Sequence, residues 1–329
     1  MAEAAAPLPW LVADVGGTHA RFGWVEVAGG APQQVQVLAT RDHAGALAAA
    51  RVYLAALQAQ GVVARPRAAA FALAGPVQGD APALTNAGWT FERAALAAGL
   101  GVERLRLLND FEALALALPL LQAAQLRSHG GWPPPAGVRA VVGPGTGLGV
   151  ATLVPTAAGW HALAGEGGHA TLAAADDYEQ AVLAQARRRH AHVSAERLLA
   201  GSGLPLLHRA VAAVDGVAVP ALDTPALFAL AREGDAQALR TLDVFFALLG
   251  GFAGNLALTV GARGGLYIGG GLVPRIADLY AASRFRERFE AKGRFAAYLR
   301  AIPTHLITDA QAALQGVAQA LAGAQPVAA

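Results

Sequence analysis

The chain reads as an α/β protein built from two halves. Two short glycine-threonine segments, Asp14-Val15-Gly16-Gly17-Thr18 and Gly143-Pro144-Gly145-Thr146-Gly147-Leu148-Gly149, each follow an apolar run and lead straight into another strand-like run. Ala/Leu-rich stretches of helical length separate the short apolar runs, so strands and helices alternate. The order strand, glycine turn, strand, then helices occurs twice, although no repeat is strong at the level of residues. A length of 329 residues favours two domains, with ample chain for a sizeable core.

The elements follow in order. Trp10-Leu11-Val12-Ala13 and Arg21 to Val27 flank the first glycine turn as a β-hairpin, and Val35-Gln36-Val37-Leu38 alternates as a third strand. Residues 45–60 form a helix closed by Gly61. Arg67 to Leu73 is an apolar run ending at Gly75-Pro76, hence a buried strand, and a short helix falls between Gly88 and Gly99. Leu105 to Leu108 make a strand that ends on Asn109-Asp110. Residues 111–118 alternate Leu and Ala, which period alone would allow as strand. Both are strong helix formers, and Asp110 as N-cap with Pro119 as stop makes the segment a helix.

Gly130 to Pro135 is a turn-rich connection into the second half, which opens with the hairpin around residues 140–154. Ser194 is placed as an N-cap with Glu196 in the first turn of its helix. Near the end, Gly265-Leu266-Tyr267-Ile268 runs into Gly269-Gly270-Gly271 and a helix opening at Pro274. Val244 to Ala262 carries no charge and is long enough to cross a membrane. Its four glycines, with Asn255 and Thr259, predict instead a buried helix in which Gly250 and Gly254 allow close packing.

Composition narrows the chemistry. A 55% hydrophobic fraction with 15% charged residues describes a well-buried globular chain, not a disordered one. The formal net charge is +2, and the one basic triplet, Arg187-Arg188-Arg189, reads as a solvated helix face, so no nucleic-acid partner is expected. With no cysteine, disulfides, thiolate nucleophiles and Cys-ligated zinc are excluded. No zinc site is expected, since the histidines form no cluster with ligand spacing. The N-terminal residues lack a basic and an apolar region, so a cytoplasmic protein without a membrane partner is expected. Lys292 is the only lysine, which removes both the Walker A loop and the strand lysine of protein kinases. Any ATP must then be held by backbone amides, hydroxyls, arginine and Mg²⁺.

Glycines at hairpin tips let neighbouring N–H groups turn outward together and form an anion cradle. The dinucleotide fingerprint G-x-G-x-x-G fits none of the glycine segments in any register, and the first two lead into strands. Asp14 adds a hard oxygen suited to Mg²⁺ or its waters. Asn109-Asp110 lies at a strand end opening into a helix, where a carboxylate is either a cap or a general base toward an alcohol. In Gly165-Glu166-Gly167-Gly168-His169 the three glycines argue against a helical metal-ligand pair. A loop offering an acceptor and an imidazole to a polyol is the more natural reading.

These segments together resemble the bacterial glucokinase family. The resemblance is carried by Asp14-Val-Gly-Gly-Thr18 with Arg21, Thr85-Asn86, Leu108-Asn-Asp-Phe111, Gly143-x-Gly-Thr-Gly-Leu-Gly149 and Gly165-Glu-Gly-Gly-His169. It continues through His192-Val-Ser-Ala-Glu196-Arg, Gly269-Gly-Gly-Leu-Val-Pro-Arg275 and Lys292-Gly-Arg-Phe295, in order from about residue 10 to 320. It implies two actin-like (ribonuclease-H-like) α/β domains with an interdomain active-site cleft, and a homodimer. The small domain would comprise residues 1–119 plus 310–329, and the large domain residues 120–309.

The implied activity is ATP-dependent phosphorylation of glucose at the 6-hydroxyl, with ATP and Mg²⁺ as cofactors. By resemblance Asp110 is the catalytic base, and Asn86, Asn109, Glu166, His169 and Glu196 hold the sugar hydroxyls. Asp14, Gly16, Gly17 and Thr18 form the first phosphate loop, with Asp14 also the Mg²⁺ residue, directly or through water. Thr146 and Gly147 form the second loop, and Gly270 and Gly271 the adenosine side. Two departures stand out: His19 replaces the usual Asn, and Asp309 to Gly316 lacks an Asn-Pro-Gly-Leu-type run. The alternatives are a kinase for another hexose and a non-catalytic sugar-binding regulator. A ROK-type zinc motif is missing after His169, and no helix-turn-helix segment precedes Asp14.

Overall fold

The computed structural model describes residues 5–63, 65–84, 88–130 and 134–323. The chain divides into two compact units, residues 1–122 with 153–164 and 309–329, and residues 123–152 with 165–308.

The first unit opens with β1 (Trp10–Val15), β2 (His19–Val25) and β3 (Gln33–Ala39), an antiparallel meander. Helix α1 (Ala46–Ala59) leads to β4 (Ala68–Leu73), and α2 (Arg93–Leu100) to β5 (Arg104–Asn109) and α3 (Asp110–Ala117). The sheet order is β3-β2-β1-β4-β5, with β1, β4 and β5 parallel. Because successive strand residues face opposite sides, β1 and β4 feed two cores. Leu11, Ala13 and Val15 pack with Ala69, Phe71 and Leu73 beneath α1, while Trp10 and Val12 pack with Ala68, Ala70 and Ala72 on the other face. The parallel register pairs Val15 with Leu73 and Leu73 with Asn109. The carboxyl ends of β1 and β5 therefore emerge at one sheet edge with β4 between them, roughly 10 Å apart from the usual strand spacing.

The second unit contains β6 (Leu126–His129), β7 (Arg139–Pro144) and the start of β8 (Leu148–Thr156), whose hairpin continues into β9 (Gly159–Gly165). Helices α4 (Asp177–Arg187), α5 (Ala195–Leu199), α6 (Leu204–Asp215), α7 (Thr224–Arg232) and α8 (Ala236–Val260) follow. After β10 (Leu266–Ile268) come α9 (Ala277–Ala281), α10 (Phe285–Glu290), α11 (Ala296–Arg300) and β11 (Thr304–Ile307). The second sheet runs β6-β11-β10-β7-β8-β9, with β10 parallel to β7 and β11. The last described element, α12 (Ala312–Ala322), returns to the first unit and packs on α3. At their contact a Cβ on Gly316 would overlap the Ala113 carbonyl oxygen.

Helix α8 is long and apolar enough to cross a membrane, and 56% of its most apolar window is buried inside the protein. Its glycine pair sits where α10 packs. A Cβ on Gly250 would meet the Phe285 carbonyl oxygen, and one on Gly254 would come within 2.6 Å of the Phe289 carbonyl oxygen. The sole lysine serves the same contact, Lys292 Nζ donating to the Gly251 carbonyl over 2.9 Å.

Some elements differ from the sequence expectation. Asn109, not Asp110, is the N-cap of α3, and Asp110 is its first helical residue. The Asn109 side chain reaches two orphan N–H groups and completes a capping box with Glu112, an arrangement open only to the residue before the helix. Pro274 lies in a 3₁₀ turn (Val273–Ile276) ahead of α9 and does not open an α-helix directly. Strands β6, β9 and β11 had no strand signal: β6 and β9 are largely exposed and lack an apolar run, and β11 mixes Thr and His into a four-residue buried segment.

Candidate active site

In the first unit the site grows from the β1–β2 turn and the start of α3. Gly16 N–H donates to the His19 carbonyl over 2.9 Å and closes the turn. Thr40 fixes the turn from outside, its hydroxyl donating to the Gly17 carbonyl (2.9 Å) and its N–H to the Thr18 carbonyl (3.0 Å). Asp14 precedes the turn opposite Arg21 in the β1–β2 register. Their side chains pair at 3.3 Å, with Asp14 only 17% exposed. Burial pushes the Asp14 carboxyl above its ordinary range despite the opposing pull of Arg21.

Asn109 is held by the helix it caps. Its Oδ1 accepts from Phe111 N–H (2.9 Å) and Glu112 N–H (3.2 Å), and its Nδ2 donates to the Gly75 carbonyl just beyond β4 (3.0 Å). Asp110 Oδ1 accepts from Phe111 N–H at 3.0 Å, at the positive end of α3. Asn86 lies outside the described residues.

In the second unit Glu166, His169 and Glu196 come together. His169 Nε2 stands 3.9 Å from a carboxylate oxygen of Glu166 and 3.9 Å from one of Glu196. Residues 167–169 form a single 3₁₀ turn, and the Glu166 and His169 side chains at its two ends are both exposed. Gly168 makes this fit possible, since its Cβ would overlap the Leu148 carbonyl oxygen. The loop is stitched to α5 by Leu172 N–H to the Val193 carbonyl (3.0 Å) and Ala195 N–H to the Ala170 carbonyl (2.9 Å). Thr171 Oγ1 and His192 Nε2 add a hydrogen bond of 3.0 Å. Ser194 caps α5, accepting from Arg197 N–H at 3.3 Å, and so orients Glu196 in the first turn.

The glycine tip between β7 and β8 meets the loop after β10 because β10 runs parallel beside β7, with Ile268 paired to Val142. Gly269 N–H donates to the Val142 carbonyl (2.9 Å) and Leu272 N–H to the Pro144 carbonyl (3.1 Å). Gly270 has φ +75°, and its Cβ would strike Pro144, so both conformation and space require glycine. Gly201 N–H donates to the Gly145 carbonyl (2.8 Å), and Ser202 Oγ to the Thr146 carbonyl (3.1 Å). Thr146 and Gly147 are thereby fixed between the two loops.

At Gly16, Gly145 and Gly271 the protein itself imposes little. None has a positive φ, and a Cβ would meet nothing closer than 3.6 Å at Gly16 and 3.9 Å at Gly145, and nothing within 4 Å at Gly271. Glycine there leaves the backbone open to close approach from outside, as phosphate oxygens require. Asp14 offers the hard oxygen a Mg²⁺ ion prefers, and no group of three or more acidic or histidine side chains assembles among the described residues. This donor set fits a nucleotide cradle with one acidic residue and does not resemble an all-protein metal cage.

Thr40, Ser202, Thr171 and the role of His192 escaped the sequence reading. Each acts on a loop distant in sequence, and a lone hydroxyl or imidazole carries no local signal of that partner.

A glucokinase from an Antarctic psychrotroph has a crystal structure that superposes with a TM-score of 0.86 at 37% identity, covering 95% of this chain and 98% of that one. Fold and site together define a sugar kinase of the actin-like ATPase fold. The Glucokinase family model matches residues 11–324, and this chain belongs to that family. The glucokinase of Chromobacterium violaceum is 49% identical over 316 residues, 95% of this chain and 89% of that protein. The bifunctional protein glk of Paraburkholderia xenovorans is 46% identical, but the chain spans only 49% of its length.

Proposed function

We propose that this chain transfers the γ-phosphoryl group of ATP to the 6-hydroxyl of D-glucose, giving glucose 6-phosphate, the first step of glycolysis. The reading is carried by the convergence of Glu166, His169 and Glu196, three groups suited to paired hydrogen bonds with sugar hydroxyls, within 3.9 Å contacts on one loop and one helix turn.

Asp110 accepts the proton of the 6-hydroxyl as that oxygen attacks phosphorus. Asn109 holds a neighbouring hydroxyl, and Asn86 is a further sugar contact. Glu196 accepts from the sugar, while Glu166 and His169 fix the ring so that only one hydroxyl is presented for reaction. The turn at Gly16, Gly17 and Thr18 and the tip at Thr146 and Gly147 direct N–H groups at phosphate oxygens, and Gly270 with Gly271 lets the adenosine side approach the backbone. Asp14 would hold Mg²⁺ directly or through its waters. When bound, the ion supplies neutralisation of the phosphate charge. Excluding water from the 6-hydroxyl matters because water is a competing acceptor.

Residues 1–119 with 310–329 and residues 120–309 would be the two functional domains of a cytoplasmic homodimer. A hexose panel read by coupled ADP detection tests the activity. Turnover on glucose is expected; activity on another hexose alone would replace the substrate, and no turnover on any hexose would leave the sugar-binding regulator. Light scattering of the purified chain tests the dimer.

A further inference from the structure

A cavity of about 450 Å³ opens in the second unit where the end of α4, α5 and the start of α6 meet. Arg189, Arg197 and Arg209 line it together with His190 and Ser202, and Glu196 is the one carboxylate in its wall. Among the described residues none of the three arginine side chains has an ion-pair or hydrogen-bond partner. Arg209 Nε is fully buried and unbonded.

This contrasts with the arginines of α10. Arg288 pairs with both Asp176 and Glu179, although its Nε too is buried and unbonded, and Arg286 pairs with Glu290 at 2.6 Å. Three guanidiniums gathered round a cavity repel one another, and a buried N–H donor left unsatisfied is costly. Their planar forks match the oxygens of a phosphate group, which satisfies several donors at once. The Arg187-Arg188-Arg189 triplet, read from sequence as a solvated face, is exposed, and its last member also lines this cavity.

We propose that this cavity binds a small phosphate-bearing anion, independently of the nucleotide cradle. Its lining includes none of the glycines at 145, 147, 270 and 271, and the two places meet through Ser202, bonded to the Thr146 carbonyl, and through Glu196, which accepts from Leu148 N–H. The anion would stand beside Glu196, a sugar contact in the proposed function, so occupancy would weaken glucose binding by crowding that carboxylate with like charge.

Pyrophosphate is the probe. Calorimetric titration of the full chain with the nucleotide cradle saturated by AMPPNP should show one saturable pyrophosphate site. Arg189→Gln and Arg209→Gln should each weaken it at least about tenfold, the loss of one charge-assisted contact. Unchanged circular dichroism and melting midpoint would show that both variants fold. No binding at millimolar pyrophosphate, displacement by AMPPNP, or undiminished binding by folded variants would each overturn the proposal. Because the readout is binding, failure of the kinase assignment leaves the result interpretable.

Discussion

Glu196 Oε2 accepts a hydrogen bond from Leu148 N–H at 3.0 Å, so a carboxylate of the proposed sugar set is tied to the backbone of the glycine tip. The residue before Leu148 shows how close the two lie. A Cβ on Gly147 would stand 2.5 Å from the same oxygen. Gly147 is therefore glycine because of Glu196, as well as for any phosphate. Gly147→Ala should turn the carboxylate away and break its bond to Leu148. A lost hydrogen bond to a charged group is worth about 1.5–3 kcal/mol, so the KM for glucose should rise at least about tenfold. The KM for ATP should rise with it, because one loop carries both effects. Steady-state kinetics over both substrates checks this, and a glucose KM within about twofold of the parent would refute the coupling.

Asn109 and Asp110 are adjacent yet should separate cleanly. Asn109 closes the capping box of α3, whereas Asp110 accepts from Phe111 N–H, a donor that Asn109 also serves. Asp110→Ala should lower kcat at least about 10²-fold, the low end for a positioned base, with little change in melting temperature. Asn109→Ala should lose about 1 kcal/mol of stability, a cap's usual worth. Melting curves beside kinetics decide the matter. A strongly destabilised Asp110→Ala with normal kcat would return Asp110 to a structural role.

Much of this was legible in the sequence for a physical reason. A glycine turn between apolar runs, or a cap before an Ala/Leu stretch, is determined by residues within a few positions of one another. Leu11-Val12-Ala13 had to be a buried strand whatever packed on it. Thr40 beside Gly17, Ser202 beside Thr146 and the Glu196–Leu148 bond are set by chain topology, and their residue types are unremarkable locally. The cap position at Asn109 was displaced by one residue because Asn and Asp are almost equally good caps, and only backbone geometry chooses between them. Strand β11 was hidden because Thr304 and His305 look polar, although both are buried.

Asp14 should carry a stability cost that its proposed function requires. A carboxyl whose folded pKa lies above its unfolded value holds its proton more tightly in the folded protein. The stability this adds is fully present below the ordinary carboxylate range and is lost as pH rises through the folded pKa. Ionised Asp14 is thus unfavourable at neutral pH, with burial outweighing the Arg21 contact. Asp14→Asn should raise the melting temperature at pH 7, and the gain should shrink as pH falls towards 4. Activity should collapse in the same variant, since an amide replaces the anionic oxygen. A lower melting temperature at pH 7 would mean that the Arg21 pair dominates.

His305 gives the opposite pH dependence. It is fully buried on β11, with Nδ1 2.8 Å from Ser128 Oγ and its ring 4.7 Å from that of Tyr267. Burial first, and the charge of Arg139 second, depress its pKa to about 4. The unfolded chain, with an ordinary histidine pKa of about 6.5, takes up the proton first. Stability from the neutral ring is complete above that value and falls as pH drops from about 6.5 to about 4. The full loss is about 3 kcal/mol. His305→Gln keeps a hydrogen-bonding side chain at this position and removes the titration. Chemical denaturation between pH 7 and pH 4 should therefore show a shallower decline for the variant, with its deficit at pH 7 narrowing as acid is added. Parallel pH profiles for the two proteins would show that His305 does not titrate differently on folding. His208, also depressed by burial and 2.9 Å from Thr241, would be the next imidazole to test.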